Sequence, residues 1–180
     1  LMSKAALGLL KNTLVLGGVR SGKSEFAESI IENFGKGLYI ATAVMPENDQ
    51  EMATRILKHK KRRGANWTTV EEPLNIVEVI EREVSPSRPI LVDCLTLWLS
   101  NLMYLERCIN TEVNKLKSFL DKSAGPVIFV SSEVGLGVIS ESEISRKFGD
   151  NMGYLNQVIA GACSRVVFVA GGISFVMKDQ

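Results

Sequence analysis

The chain has 180 residues, 46% of them hydrophobic and 23% charged, which suits one α/β domain with a full core. Its 21 basic and 20 acidic residues leave a net charge of +1, so no global field points to nucleic acid or a membrane surface as the main partner. Cys94, Cys108 and Cys163 are odd in number, widely spaced and without a C-x-x-C pair, which argues against a disulfide framework or a zinc site and suits a reducing cytoplasm.

Residues 1–12 read as an N-terminal extension ahead of a single domain at 13–180. Their apolar part is too short to span a bilayer, no cleavage pattern follows, and no later stretch has the length of a membrane span. Thr13–Leu16 predicts a buried strand. It runs directly into Gly17-Gly18-Val19-Arg20-Ser21-Gly22-Lys23-Ser24, a complete G-x-x-x-x-G-K-S phosphate loop, and a helical pattern follows from Glu25 to Phe34. In that context the loop N–H groups would face a phosphate and Lys23 would reach the β- and γ-phosphates. Ser24 would ligate Mg²⁺, and the helix would present its positive end to the same anion.

Leu38–Thr42 predicts a second short buried strand. Gln50 to about Arg63 predicts a helix that carries the only histidine, His59, inside the basic run Arg55-Ile56-Leu57-Lys58-His59-Lys60-Lys61-Arg62-Arg63. Arg55, His59, Arg62 and Arg63 share one helical face. Three readings stand open for this run: a solvated basic helix end, a nuclear-localisation-like cluster, or a cluster that faces the phosphate loop and holds a triphosphate, with His59 free for nucleophilic or acid–base work.

Asn66–Val70 alternates like a strand and Asn75–Val84 like a helix. Ile90–Asp93 is an apolar strand ending in a carboxylate, the shape of a Walker B element, so Asp93 would lie beside the phosphate loop and hold Mg²⁺. Leu95–Tyr104 is apolar nearly all round, which predicts a buried helix or one at a subunit interface. Thr111–Ser123 predicts an amphipathic helix and Val127–Ser131 a buried strand. The loop Ser132–Gly137 follows at the carboxyl end of that strand, where open α/β sheets place ligands. Ile144–Ala162 predicts a helix broken near Gly149 or Gly153; Val166–Ala170 and Ile173–Met177 predict a core strand and an edge strand. Together these elements predict an α/β phosphate-loop NTPase, RecA-like, with a central, mostly parallel sheet flanked by helices.

These motifs together resemble the bifunctional cobinamide kinase / cobinamide-phosphate guanylyltransferase family of cobalamin biosynthesis. The resemblance rests on the phosphate loop, Tyr39-Ile40-Ala41-Thr42-Ala43, the His59 helix, Asn66-Trp67 with Val70-Glu71, and Asp93-Cys94-Leu95-Thr96-Leu97-Trp98-Leu99-Ser100-Asn101. Glu133-Val134-Gly135-Leu136-Gly137, Phe148-Gly149-Asp150 and Asn156-Gln157 extend it. It implies that a nucleoside triphosphate, ATP or GTP, phosphorylates the corrinoid adenosylcobinamide. GTP would then guanylylate His59, and GMP would pass to the cobinamide phosphate. By matching position it implies nucleotide contacts at Gly17 to Ser24, Ala41, Thr42, Ala43, Lys60, Lys61, Arg62, Arg63, Glu71 and Asp93, with Mg²⁺ on Ser24 and Asp93. A cytoplasmic homotrimer is implied as well. Gly64, Ser140 and Tyr154 depart from the family pattern, where two prolines and a basic residue are common.

Rival readings are a single-function small-molecule kinase, a GTP-driven switch and a nucleic-acid-stimulated ATPase. The switch lacks its guanine motif, since Asn114-Lys115-Leu116-Lys117 has no Asp. The ATPase would want a wider basic surface with aromatics.

Overall fold

A computed structural model describes residues 12–44, 50, 53–54, 56–57, 60, 64, 66–123 and 125–180. In chain order the elements are β1 (Thr13–Gly17), α1 (Lys23–Glu32), β2 (Gly37–Ala41), β3 (Trp67–Glu71), α2 (Ile76–Glu83) and β4 (Ile90–Asp93). They continue as α3 (Leu95–Tyr104), α4 (Ile109–Leu120), β5 (Val127–Ser132), α5 (Glu143–Ala162), β6 (Arg165–Ala170) and β7 (Ile173–Asp179). Gln50, Ala53, Thr54, Ile56, Leu57 and Lys60 are also helical.

The strands form one sheet in the order β3-β2-β4-β5-β1-β6-β7. All neighbours pair in parallel except β7, which returns antiparallel on β6. The fold is therefore the mostly parallel α/β phosphate-loop sheet that the alternation of elements predicts. β5 lies between β1 and β4, so the strand feeding the phosphate loop and the strand ending in Asp93 are separated by one strand.

Strand alternation sorts the core into two layers. Leu14, Leu16, Leu38, Ile40, Ile90, Val92, Val127 and Phe129 face α2, α3, α4 and α5, where Ile80, Trp98, Leu99, Leu116 and Leu155 complete the packing. Val15, Tyr39, Leu91, Ile128, Val130, Val167 and Val169 face the other way, under Ala27 and Ile31 of α1. Continuous apolar strands were the sequence signature of a sheet covered on both faces.

Two expectations are corrected. The helix predicted to break near Gly149 or Gly153 runs unbroken from Glu143 to Ala162. Ser142 caps its start, and buried Met152, Leu155, Asn156 and Ile159 hold it to the sheet, which outweighs the roughly 1 kcal/mol each glycine costs. Its last turn is closed by Lys178 of β7, whose Nζ donates to the carbonyls of Ala160, Gly161 and Cys163 at 3.1, 3.1 and 2.6 Å. The first helix also starts two residues earlier than predicted, so Lys23 and Ser24 belong to its first turn. Among the described residues no helix is long and apolar enough to cross a membrane.

Candidate nucleotide site

The phosphate loop leaves β1 at Gly17, turns through Gly18–Gly22 and enters α1 at Lys23. Inside the turn the Ser21 N–H donates to the Gly18 carbonyl at 3.3 Å. Gly17 is required by close approach, because a Cβ there would stand 2.2 Å from the Val169 carbonyl oxygen. Lys23 is only 8% exposed and its Nζ donates to the Gly18 carbonyl at 2.7 Å. The ammonium is thus folded back over its own loop. Burial lowers its pKa from the usual lysine value, with Cys94, Asp93 and Glu25 opposing. An ammonium so desolvated gains most from a phosphate that replaces the carbonyl.

Asp93 stands at the end of β4, in register with Ala41 of β2. Tyr39 Oη donates to Asp93 Oδ2 at 2.9 Å. Tyr39 is itself buried, and its ring meets Trp67 edge to face with centroids 6.1 Å apart. These contacts give the carboxylate a fixed orientation beside Lys23. Just past Asp93, the Thr42 hydroxyl accepts the Cys94 N–H at 2.8 Å and donates to the Cys94 carbonyl at 2.7 Å. Thr42 is fully buried, so this ring of bonds locks the ends of β2 and β4 together.

The block from Asp93 to Asn101 acquires a physical explanation from α3. Leu95 and Leu99 fill the core, while every polar side chain on its inner face ties down a loop at the carboxyl edge of the sheet. Trp98 Nε1 donates to the Leu74 carbonyl at 2.7 Å. Asn101 Nδ2 donates to the carbonyls of Thr42 and Pro73 at 2.8 and 3.0 Å. Thr96 Oγ1 accepts the Ser132 N–H at 2.8 Å. From α5, in the same layer, Asn156 Oδ1 accepts from Ser131 Oγ at 2.6 Å and its Nδ2 donates to the Ser132 carbonyl at 3.1 Å. The Glu133 N–H then donates to the Gly17 carbonyl at 3.0 Å, joining the loop after β5 to the phosphate loop.

The remaining predicted contacts spread along the same edge. Ala41 ends β2, Thr42 and Ala43 follow it, and Glu71 ends β3 in register with Ala41. Lys60 Nζ reaches Glu71 Oε1 at 2.6 Å; both side chains are exposed, so the pair adds little stability. Four strand spacings, roughly 19 Å, separate β3 from β1. The site is therefore a long edge rather than a point, with Gly17–Ser24 at one end, Asp93 in the middle and the Lys60–Glu71 pair at the other. His59, Lys61, Arg62 and Arg63 lie outside the described residues.

Tyr39, Thr96, Asn101 and Asn156 support this edge without having been singled out by chemistry in the sequence. Each lies in a block that carried the resemblance, but no local pattern names its partner. Ser24 and Asp93 offer hard oxygen donors next to a phosphate site. That set fits Mg²⁺, which takes one or two protein oxygens and fills the rest of its shell with phosphate and water.

The family described as cobinamide kinase / cobinamide phosphate guanyltransferase matches residues 13–177. The bifunctional adenosylcobalamin biosynthesis protein CobP of Pseudomonas aeruginosa is 42% identical over 170 residues, covering 93% of this chain and 97% of that one. CobU of Escherichia coli, described in the same words, is 35% identical over 180 residues, covering 92% and 98%. Among solved structures, a Pyrococcus horikoshii protein superposes with a TM-score of 0.57 at 10% identity, covering 99% of this chain and 93% of that one. An ATPase of a bacterial type III secretion system gives 0.54 at 10% identity, covering 96% and 60%. Those two likenesses concern the fold. The relatives decide the family: the chain belongs to the cobinamide kinase / cobinamide phosphate guanyltransferase family.

Proposed function

We propose that the chain phosphorylates adenosylcobinamide with ATP or GTP and then transfers GMP from GTP, through a guanylyl group on His59, to give adenosylcobinamide-GDP. The observation that carries this reading is the convergence of a buried Lys23 and an oriented Asp93 on a phosphate loop in a chain of this family.

In the first reaction the hydroxyl oxygen of the aminopropanol arm attacks the γ-phosphorus. The bond from that phosphorus to the β,γ-bridging oxygen breaks, the nucleoside diphosphate leaves with the electron pair, and the hydroxyl proton passes to solvent. Lys23 exchanges the Gly18 carbonyl for phosphate oxygens, and the loop N–H groups hold the β-phosphate in line. Ser24 and Asp93 would hold Mg²⁺, which supplies charge neutralisation on the phosphate oxygens when bound.

In the second reaction an imidazole nitrogen of His59 attacks the α-phosphorus of GTP and pyrophosphate leaves. A phosphate oxygen of the cobinamide phosphate then attacks the guanylyl phosphorus, and the imidazole departs. Ala41, Ala43, Lys60, Lys61, Arg62, Arg63 and Glu71 contact the nucleotide, while Thr42, predicted as a further contact, is fully buried and braces the strand ends beneath them. The enzyme works in the cytoplasm as a homotrimer. Association is favoured by the exposed apolar side chains of edge strand β7, where Ile173, Phe175 and Met177 are 76%, 69% and 58% exposed.

The test is to incubate the chain with adenosylcobinamide, GTP and Mg²⁺ and to separate the corrinoid products by chromatography. Cobinamide phosphate followed by cobinamide-GDP is expected, and Lys23→Ala should slow the first product by at least about 100-fold. A folded, GTP-binding protein that forms neither product would overturn the reading; the phosphate alone would leave a single-function kinase.

A further inference from the structure

The phosphate loop does not end its contacts at α1. It rests against the mouth of the hairpin between β6 and β7, where Ala170 pairs with Ile173 and only Gly171 and Gly172 make the turn. Both turn residues have positive φ, +58° and +78°, as a two-residue hairpin turn demands. The Gly172 N–H donates to the Ser21 carbonyl at 2.9 Å. Gly22, at φ +97°, stands opposite, and a Cβ there would lie 3.3 Å from Gly172 Cα. With the approach of Gly17 to the Val169 carbonyl, these contacts set backbone directly on backbone. Beneath them the Ser21 hydroxyl is buried and has no hydrogen-bond partner among the described residues.

We propose that the Gly171-Gly172 turn is a positioning element of the phosphate loop and sets its affinity for nucleotide. The inference rests on the reading of that loop as the nucleotide site. A trans peptide points its C=O and N–H in opposite directions. By holding the Ser21 carbonyl outward, Gly172 turns the N–H of Gly22 toward the concave side of the loop, where a phosphate would sit. Preorganised donors cost nothing to orient when the anion arrives. The hairpin is itself anchored at its far end, through Lys178 on the closing turn of α5 and through the Gln180 N–H on the Ser164 carbonyl at 3.0 Å. A strut fixed at one end and bonded to the loop at the other is what such a role needs.

Position 172 suits the test, because a Cβ there would meet nothing within 4 Å and the ester changes the backbone alone. The full chain is assembled by ligating residues 1–162 to a synthetic 163–180 peptide at the native Cys163, with an ester in place of the Gly172 N–H. Affinity for a fluorescent GDP analogue is measured beside thermal melting without nucleotide. The ester should weaken binding roughly 3- to 10-fold, the effect of one lost hydrogen bond. Two recombinant variants repeat the test without refolding: Gly172→Asn, which tolerates positive φ, should bind within about twofold of the parent, and Gly172→Val, which does not, should bind several-fold more weakly. Unchanged affinity in the ester chain or in Gly172→Val would overturn the proposal, as would a melting loss with affinity intact. If the unmodified chain bound no nucleotide, the reading of the loop itself would fall instead.

Discussion

Lys23 pairs a charge with burial, and the two pull its chemistry in opposite directions. Burial lowers its pKa below the usual lysine value of 10.5, so the free enzyme gives up this charge at a lower pH than a solvated lysine would. The neutral amine binds phosphate less well. The alkaline limb of kcat/KM should therefore have its midpoint below pH 10.5, and Lys23→Arg, which stays charged, should flatten that limb whatever it does to the maximal rate. A wild-type profile level through pH 10.5 would contradict this. Tyr39 acts one step back, by orienting Asp93. Tyr39→Phe deletes the donor and leaves the ring on Trp67, so a loss of about 1 kcal/mol in stability is expected. The telling readout is the Mg²⁺ concentration for half-maximal rate, which should rise about 3- to 10-fold; an unchanged Mg²⁺ requirement would remove Tyr39 from the site.

At the level of elements, the strand, glycine loop and helix around Lys23 were legible because every signal there is local. Spacing names the loop, and an apolar run on one side with a helical period on the other names its context. The strand that ends in Asp93 was legible for the same reason. Tyr39 was not, since its partner lies 54 residues away, and neither was Asn101, which bonds Thr42 across 59 residues. A side chain that works through a distant partner leaves no periodic trace in its own neighbourhood. The α5 error has the converse origin, because glycine propensity was read where tertiary packing decides. Gly149 and Gly153 lie in a continuous helix and a Cβ at either would meet nothing within 4 Å. Gly149→Ala should therefore stabilise the chain by about 0.5–1 kcal/mol in urea unfolding. A loss of stability would show that the helix needs glycine there after all.

For the molecule as a whole, alternation of elements announced a parallel sheet, but strand order was beyond the sequence because pairing is a contest among several similar apolar runs. That order matters for function. It inserts β5 between the phosphate loop and Asp93 and strings the remaining predicted contacts along the carboxyl edge as far as Glu71. On the proposed function one edge would serve two transfers, with Lys23 at one end and Lys60 on Glu71 at the other. The account turns on whether the second transfer passes through the protein. The decisive measurement is incubation with α-³²P-labelled GTP and Mg²⁺, followed by denaturation and a count of label left on the chain. The account predicts an acid-labile, alkali-stable phosphoramidate that His59→Ala loses while still binding GTP. No label on active, GTP-binding wild type, or label undiminished in His59→Ala, would contradict it.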